Sequence, residues 1–305
     1  MILVVEELDS RGLNLLQRSG YPFRYEPGLW REPLSLLESL ASAKALIVRN
    51  RVQVDQALLE AAPHLRVVGR LGAGLDNVDQ EALKAKGVVL VHAPGANALA
   101  VAEYVLAALF YLARDLPRAA KGGDRLSLGG FELAGKTLGL LGLGEVGLRV
   151  AYRARHLGMR VVGHDPVRKP WEAALEPGGV ELLPMEEVLA EAHFLSLHAP
   201  LTPGTKGLLG REAFLRMRAG AYLINTARGQ LVDHEALYQA LKEGHLSGAV
   251  LDVTHPEPLP EDHPLWSLDR CLITPHIAGL TQEAQSRVGK RVVLGVLEVL
   301  HALMA

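Results

Sequence analysis

The sequence predicts an α/β protein built from two doubly wound parallel-sheet domains. Two observations carry this. Short aliphatic runs alternate with helical stretches along the whole chain, and a length of 305 residues suits two domains. Continuously apolar strands spaced by helices indicate parallel sheets covered on both faces.

The runs fall into two groups. Ile2–Val5, Ala45–Val48, Val67–Leu71 and Val88–Val91 form the first, closed by Pro94-Gly95. Ala98–Ala113 then reads as a long buried helix, and Lys121–Gly130, rich in glycine and polar residues, as a loop. The second group is Leu138–Leu141, Arg160–Gly163, Phe194–Leu197, Tyr222–Ile224, Ala249–Leu251 and Leu272–Ile273. Thr281–Met304 follows as another long helix. Its Val288, Val292, Val296 and Leu300 recur every four residues and give one apolar face, which could return to the first group.

Composition excludes some partners. Lys plus Arg number 32 against 34 Asp plus Glu, so there is no general attraction to nucleic acid or anionic membrane, and an anionic ligand needs a local cluster of positive groups. Cys271 is the only cysteine and reads as a small buried apolar residue; no internal disulfide is possible, which fits a reducing compartment. Met1 leads directly into an aliphatic run and Glu6-Glu7, without the basic leader of a signal peptide. The most apolar segment, Leu99–Ala113, falls short of the ~20 residues of a membrane span. A cytoplasmic location is expected.

The strand Thr137–Leu141 runs straight into Gly142-Leu143-Gly144-Glu145-Val146-Gly147, and a helical stretch follows. Such a glycine turn is weak evidence in a chain with 31 glycines, but here it lies between a strand and a helix. Gly142 permits the tight turn, Gly144 lets the backbone approach a pyrophosphate, and Gly147 lets helix and strand pack closely. The next strand ends at Asp165, 18 residues past Gly147. A carboxylate there accepts from both ribose hydroxyls and repels a 2′-phosphate, favouring NAD over NADP. Arg168 and Lys169 weaken that exclusion slightly. A methyltransferase using S-adenosylmethionine has a similar turn and ribose acid, so the turn alone does not decide.

Three later strand ends carry chemistry. Arg228 follows one in Asn225-Thr-Ala-Arg-Gly229, Glu257 lies in a proline-bounded loop after another, and His276 follows a third. Ligands of open α/β sheets sit outside the carboxyl ends of the strands, where these side chains can meet. Hydride transfer to a 2-oxo acid creates an alkoxide that needs a proton. A histidine can supply and recover it, a carboxylate fixes and stabilises the imidazolium, and an arginine clamps the substrate carboxylate. His276 is the candidate acid–base group, Glu257 its partner and Arg228 the clamp. No metal site is expected.

At these residues the chain resembles the D-isomer-specific 2-hydroxyacid dehydrogenase family. The resemblance runs through almost the whole chain: Gly69-Arg-Leu-Gly-Ala-Gly-Leu-Asp-Asn-Val-Asp79, the Gly142 turn with His164-Asp165-Pro166, Leu197-His-Ala-Pro-Leu-Thr202, Asn225–Gly229, Leu251-Asp-Val253 with Glu257-Pro258, and Thr274-Pro-His276. It implies catalytic roles for Arg228, Glu257 and His276, and a nicotinamide-amide partner at Asp252. Glu145, Val146, Thr226, Ala227 and Gly279 join Gly142, Gly144, Gly147 and Asp165 as expected cofactor contacts. The implied architecture is a Rossmann NAD domain over residues 96–280 and a flavodoxin-like substrate domain split between 1–95 and 281–305. A homodimer or dimer-based tetramer is also implied.

Within the family, the segments around Arg49 and Arg70, and Glu283–Arg287, are most similar to members that oxidise 3-phosphoglycerate. Arg49 and Arg70 match positions near the substrate's phosphate, and Gly72-Ala73-Gly74 offers backbone N–H groups to a carboxylate. Gln230, Thr254 and the Lys121–Gly130 loop, which lacks a tryptophan, depart from the family pattern. The chain stops just after the long helix, so feedback by serine at a further C-terminal domain is not expected. Glyoxylate or hydroxypyruvate reduction is the alternative enzyme, and a non-catalytic NAD-binding corepressor-like module the alternative of another class. A formate dehydrogenase fits less well, because the family's formate enzymes carry a glutamine where this chain has Glu257.

Overall fold

A computed structural model describes residues 1–116, 119, 122, 130–169 and 179–303. Most of the expected Lys121–Gly130 loop, and Met304 at the end of the last helix, lie outside these residues. The chain divides into two compact units, Met1–Asn97 with Leu280–Ala305, and Ala98–Gly279. The divisions fall two residues and one residue from the expected 95/96 and 280/281.

Unit 1 contains β1 (Ile2–Val4), α1 (Ser10–Arg18), β2 (Phe23–Tyr25), α2 (Pro33–Leu40), β3 (Ala45–Val48), α3 (Gln56–Glu60), β4 (Val67–Arg70), α4 (Gln80–Ala85) and β5 (Val89–His92), closed by the C-terminal helix Gln282–Ala302. The strands are parallel in the order β2-β1-β3-β4-β5, the flavodoxin-like arrangement with its reversal between β1 and β3. Strand alternation explains the unbroken apolar runs. Leu3, Leu46, Val48 and Val68 enter one core, while Ile2, Val4, Ala45, Ile47 and Val67 enter the other. The second core is completed by Val288, Val292, Val293, Val296 and Leu300 of the C-terminal helix, whose apolar face thus lies on the unit 1 sheet. Gly69 makes room for it: a Cβ there would stand 2.8 Å from both Val292 and Val296. Asp9, Asp55, Asp79 and Thr281 cap their helices by accepting backbone N–H bonds.

Unit 2 contains α5 (Ala98–Ala113), β6 (Thr137–Leu141), α6 (Glu145–His156), β7 (Arg160–His164), β8 (Glu181–Leu182), α7 (Met185–Glu191), β9 (Phe194–Leu197), α8 (Arg211–Arg216), β10 (Ala221–Asn225), α9 (His234–Lys242), β11 (Leu246–Leu251) and β12 (Cys271–Ile273). Its seven parallel strands run β12-β11-β10-β9-β6-β7-β8, so β6 stands at the point where the order reverses, as in a Rossmann sheet. Two cores cover its faces, one with α5 and α6, the other with α7, α8 and α9. Among the described residues no helix is long and apolar enough to cross a membrane. The short edge strands β2 and β8 were not expected. β2 has Arg24 at its centre and β8 is two residues long, so neither forms an aliphatic run.

Candidate active site

The glycine turn joins β6 to α6. Gly142 has φ of +98°, and a Cβ there would meet the His198 backbone at 2.6 Å; one on Gly147 would meet the Gly142 carbonyl oxygen at 2.3 Å. Both glycines are needed by the turn itself. Gly144 differs, because nothing lies within 4 Å of its Cβ position, and as N-cap of α6 it supplies no side-chain acceptor. Space is thus open at Gly144 and α6 starts without a side-chain cap, a combination suited to an anion at a helix start. Glu145 places a carboxylate in that turn beside Val146, but Arg149 binds it and its backbone carbonyl.

Asp165, one residue past β7, does more than the sequence reading allowed. Its Oδ2 accepts from the Leu143 N–H at 2.8 Å, and its Oδ1 accepts from Val167 at 2.9 Å and Arg168 at 3.3 Å. The carboxylate thus ties the turn to the β7 loop, and the Leu143 N–H is committed to it. Beneath the turn, burial pushes the His198 imidazole down to about 3, and its Nε2 lies 2.9 Å from Ser196 Oγ.

Three neighbouring strands deliver the candidate chemistry in register, Asn225 pairing with Leu251 and Leu251 with Ile273. At the end of β10, the fully buried Asn225 donates through Nδ2 to the Arg228 carbonyl (2.9 Å) and accepts from the Ala227 N–H (3.0 Å), fixing the turn that presents Arg228. Arg228 donates to the Ala227 carbonyl at 2.6 Å. The Thr226 hydroxyl oxygen is buried with no hydrogen-bond partner. Gly229 lets this turn touch the loop after β11: a Cβ would fall 2.0 Å from the Thr254 carbonyl carbon.

After β11, Asp252 is 1% exposed, and its carboxylate accepts from the Thr274 hydroxyl (2.6 Å) and the N–H groups of Ile277 and Ala278 (2.8 Å each). These donors belong to the loop after β12, which carries His276 and runs on to Gly279. The His276 Nδ1 donates to Glu257 Oε1 at 2.8 Å, and both side chains are partly exposed, at 46% and 40%. The pair leaves Nε2 for a ligand. Among the described residues no group of three or more His, Cys, Asp or Glu side chains is placed to hold a metal ion.

The expected substrate residues lie in unit 1, at the carboxyl ends of β3 and β4. Glu6, fully buried just after β1, accepts from the N–H groups of Arg49, Asn50, Arg51 and Val52 and so shapes the loop holding Arg49. Arg49 donates to the Glu7 carbonyl at 3.3 Å, and desolvation lowers its pKa from the usual arginine value. Arg70 folds over Gly72, where a Cβ would come within 1.7 Å of its Nη1. The Gly72 N–H donates to the Arg70 carbonyl at 2.9 Å. The Gly72 N–H, one of the loop's expected donors, is thus engaged within the loop itself.

Sequence reasoning assigned no role to Glu6, Asn225 or Gly229. Asn225 had the clearest signal, a carboxamide directly after an aliphatic strand.

Comparison with known proteins places this arrangement. Residues 106–278 match the model of the D-isomer specific 2-hydroxyacid dehydrogenase NAD binding domain. The chain belongs to that family, and unit 2 is its NAD-binding domain. It is 41% identical over 310 aligned residues to D-3-phosphoglycerate dehydrogenase of Methanocaldococcus jannaschii, covering 100% of this chain and 58% of that protein. It is 42% identical to (S)-sulfolactate dehydrogenase of Chromohalobacter salexigens, covering 94% of each. The crystal structure of the TT0316 protein from Thermus thermophilus superposes with a TM-score of 0.91 at 39% identity, over 99% of this chain and 97% of that one. The chain thus spans little more than half the length of the phosphoglycerate dehydrogenases it matches.

Proposed function

We propose that this chain exchanges hydride between NAD and the α-carbon of a D-2-hydroxy acid carrying a second anionic group, with 3-phosphoglycerate oxidised to 3-phosphohydroxypyruvate as the leading substrate. The observation that carries the reading is the His276–Glu257 pair at 2.8 Å, on a loop hydrogen-bonded to Asp252.

The residues fit the cofactor. The open space at Gly144 and the uncapped start of α6 suit a pyrophosphate, and the unpartnered Thr226 hydroxyl suits a polar ligand group. Gly142–Gly147 would hold the phosphates, the remaining lone pairs of Asp165 the ribose, and Thr226, Ala227, Asp252 and Gly279 the nicotinamide end. The chemistry supplied by bound NAD is uptake or return of a hydride. His276 does the proton work: in reduction its Nε2–H protonates the forming alkoxide, and in oxidation Nε2 takes the hydroxyl proton. Glu257 holds the ring by Nδ1 and balances the imidazolium. Arg228 pairs with the substrate carboxylate through its planar fork.

Arg49, Arg70 and the Ala73–Gly74 backbone are proposed to serve the substrate's anionic groups. The Chromohalobacter relative supports a second substrate reading, since sulfolactate also joins a 2-hydroxy carboxylate to a tetrahedral anion. Turnover of 3-phosphoglycerate, sulfolactate, glyoxylate and hydroxypyruvate, with NADH followed optically, separates these substrates. Arg70→Ala should hurt only the substrates with a second anion. His276→Ala should lower kcat by about 100-fold or more with NADH affinity kept; an active His276→Ala enzyme would remove His276 from its role.

A cytoplasmic place in serine biosynthesis follows from the leading substrate. A homodimer or dimer-based tetramer is proposed through unit 2, supported by Phe110 and Leu116, 46% and 47% exposed. Sedimentation equilibrium tests it, and a monomer at micromolar concentration would refute it.

A further inference from the structure

We infer that Tyr104 and Thr274 are positioning residues for His276, acting through Asp252. The inference rests on the proposed function for the role of His276 and adds to it the device that holds that histidine in place.

His276 has φ of +57°. The left-handed region crowds the Cβ of an L-residue against its own backbone, so surrounding contacts must hold it there. Beside the ring's bond to Glu257 and the N–H bond to the Thr274 carbonyl at 3.0 Å, three N–H groups of the turn converge on Asp252. The His276 N–H donates to the Asp252 carbonyl at 2.9 Å, and the next two N–H groups, of Ile277 and Ala278, donate to the two oxygens of its carboxylate. Asp252 is 1% exposed, so these partners orient it and water does not.

The carboxylate is itself aimed from one side. Thr274 has a single hydroxyl proton and gives it to Asp252 Oδ1 at 2.6 Å. The Tyr104 hydroxyl, 2.5 Å from Thr274 Oγ1, must therefore be the donor of that bond. A directional chain results, from Tyr104 to Thr274 to the Asp252 carboxylate, which receives the N–H groups of the His276 turn. Tyr104 sits on α5, 170 residues before Thr274 in sequence, so a helix outside the strand-end loops takes part in setting the turn. Burial raises the Tyr104 pKa, which keeps the phenol a proton donor.

The test uses Tyr104→Phe, Thr274→Val, Thr274→Ser and the Tyr104→Phe/Thr274→Val double variant. Steady-state reduction of the best 2-oxo acid is measured, together with proton–nitrogen correlation spectra of the His276 ring in cofactor-free protein. One neutral hydrogen bond corresponds to about 3- to 10-fold in rate. We expect kcat to fall by that order in Tyr104→Phe and further in Thr274→Val. Thr274→Ser restores most of the loss. The double variant is no slower than Thr274→Val, because Tyr104 acts only through Thr274. The His276 Nδ1 resonance moves in Tyr104→Phe and Thr274→Val and returns in Thr274→Ser. Additive losses, or a His276 resonance unmoved by Thr274→Val, would overturn the inference. Wild-type protein inactive on every acid would refute the hydride-transfer reading instead. The spectra need no substrate and decide the positioning chain in either case.

Discussion

Gly229 is the position where one added methyl group meets the most resistance. Its Cβ would sit 2.0 Å from one backbone carbon of Thr254 and 2.1 Å from the oxygen, and backbone cannot swing aside as a side-chain tip can. Gly229→Ala is expected to cost about 1–3 kcal/mol by overpacking, and to lower turnover beyond that loss by displacing Arg228. Urea unfolding beside kinetics at the same temperature separates the two effects. His198 gives a pH prediction. Its folded pKa of about 3 lies below the ordinary histidine value of 6.5, so the unfolded chain binds the proton first as pH falls. The neutral, desolvated ring is compatible with full stability above about 6.5, and stability then drains away toward 3. His198→Asn should flatten that acid limb, read as urea midpoints between neutral pH and the acid range; an unchanged slope would place the acid sensitivity elsewhere. Cys271, its thiol pushed up to about 12 by burial, should resist thiol reagents in the native protein and react on unfolding.

Among the elements, the loop after β3 depends on a carboxylate 43 residues away in sequence. Removing it in Glu6→Ala leaves four backbone donors without their acceptor. The expected cost is about 1–3 kcal/mol, since the exposed part of the loop can turn to water. A thermal scan measures it, and added acetate should recover part of the loss by refilling the vacated space. This dependence could not be read from the sequence, where Glu6-Glu7 looks like a solvated pair. The same limit recurs elsewhere. Central strands such as β3 and β9 were legible because both faces are buried and the run is unbroken. The edge strands β2 and β8 were not, because an edge tolerates Arg24 and Glu181. The pairing of Glu257 with His276 was foreseeable because their chemistry is unusual at strand ends. Asn225 and the bonds of Asp165 to its own loop were not, because a polar side chain's partner is a matter of distance rather than spacing.

At the scale of the whole molecule, the split of unit 1 was hinted at by the four-residue repeat from Val288 to Leu300, and Gly69 is its counterpart on the sheet. Arg287 and Arg291 donate to the carbonyls of Ala96 and Pro94, at 2.9 and 3.0 Å, so the C-terminal helix is pinned beside the residues where the chain leaves the unit. A shortened chain joining Asn97 to Leu280 through a few Gly and Ser residues should therefore fold alone, with cooperative unfolding seen by circular dichroism. Gly69→Leu in that chain should abolish the transition; an unaffected transition would mean that the helix is not part of the core. The same docking sets an order of events on the ribosome. The 182 residues Ala98–Gly279 emerge between the two pieces of unit 1, which at about 5–20 residues per second takes roughly 10–40 s. Throughout that interval the strip formed by Ile47, Val67 and Gly69 has no helix to cover it. Unit 1 therefore completes its second core only once the C-terminal helix has emerged.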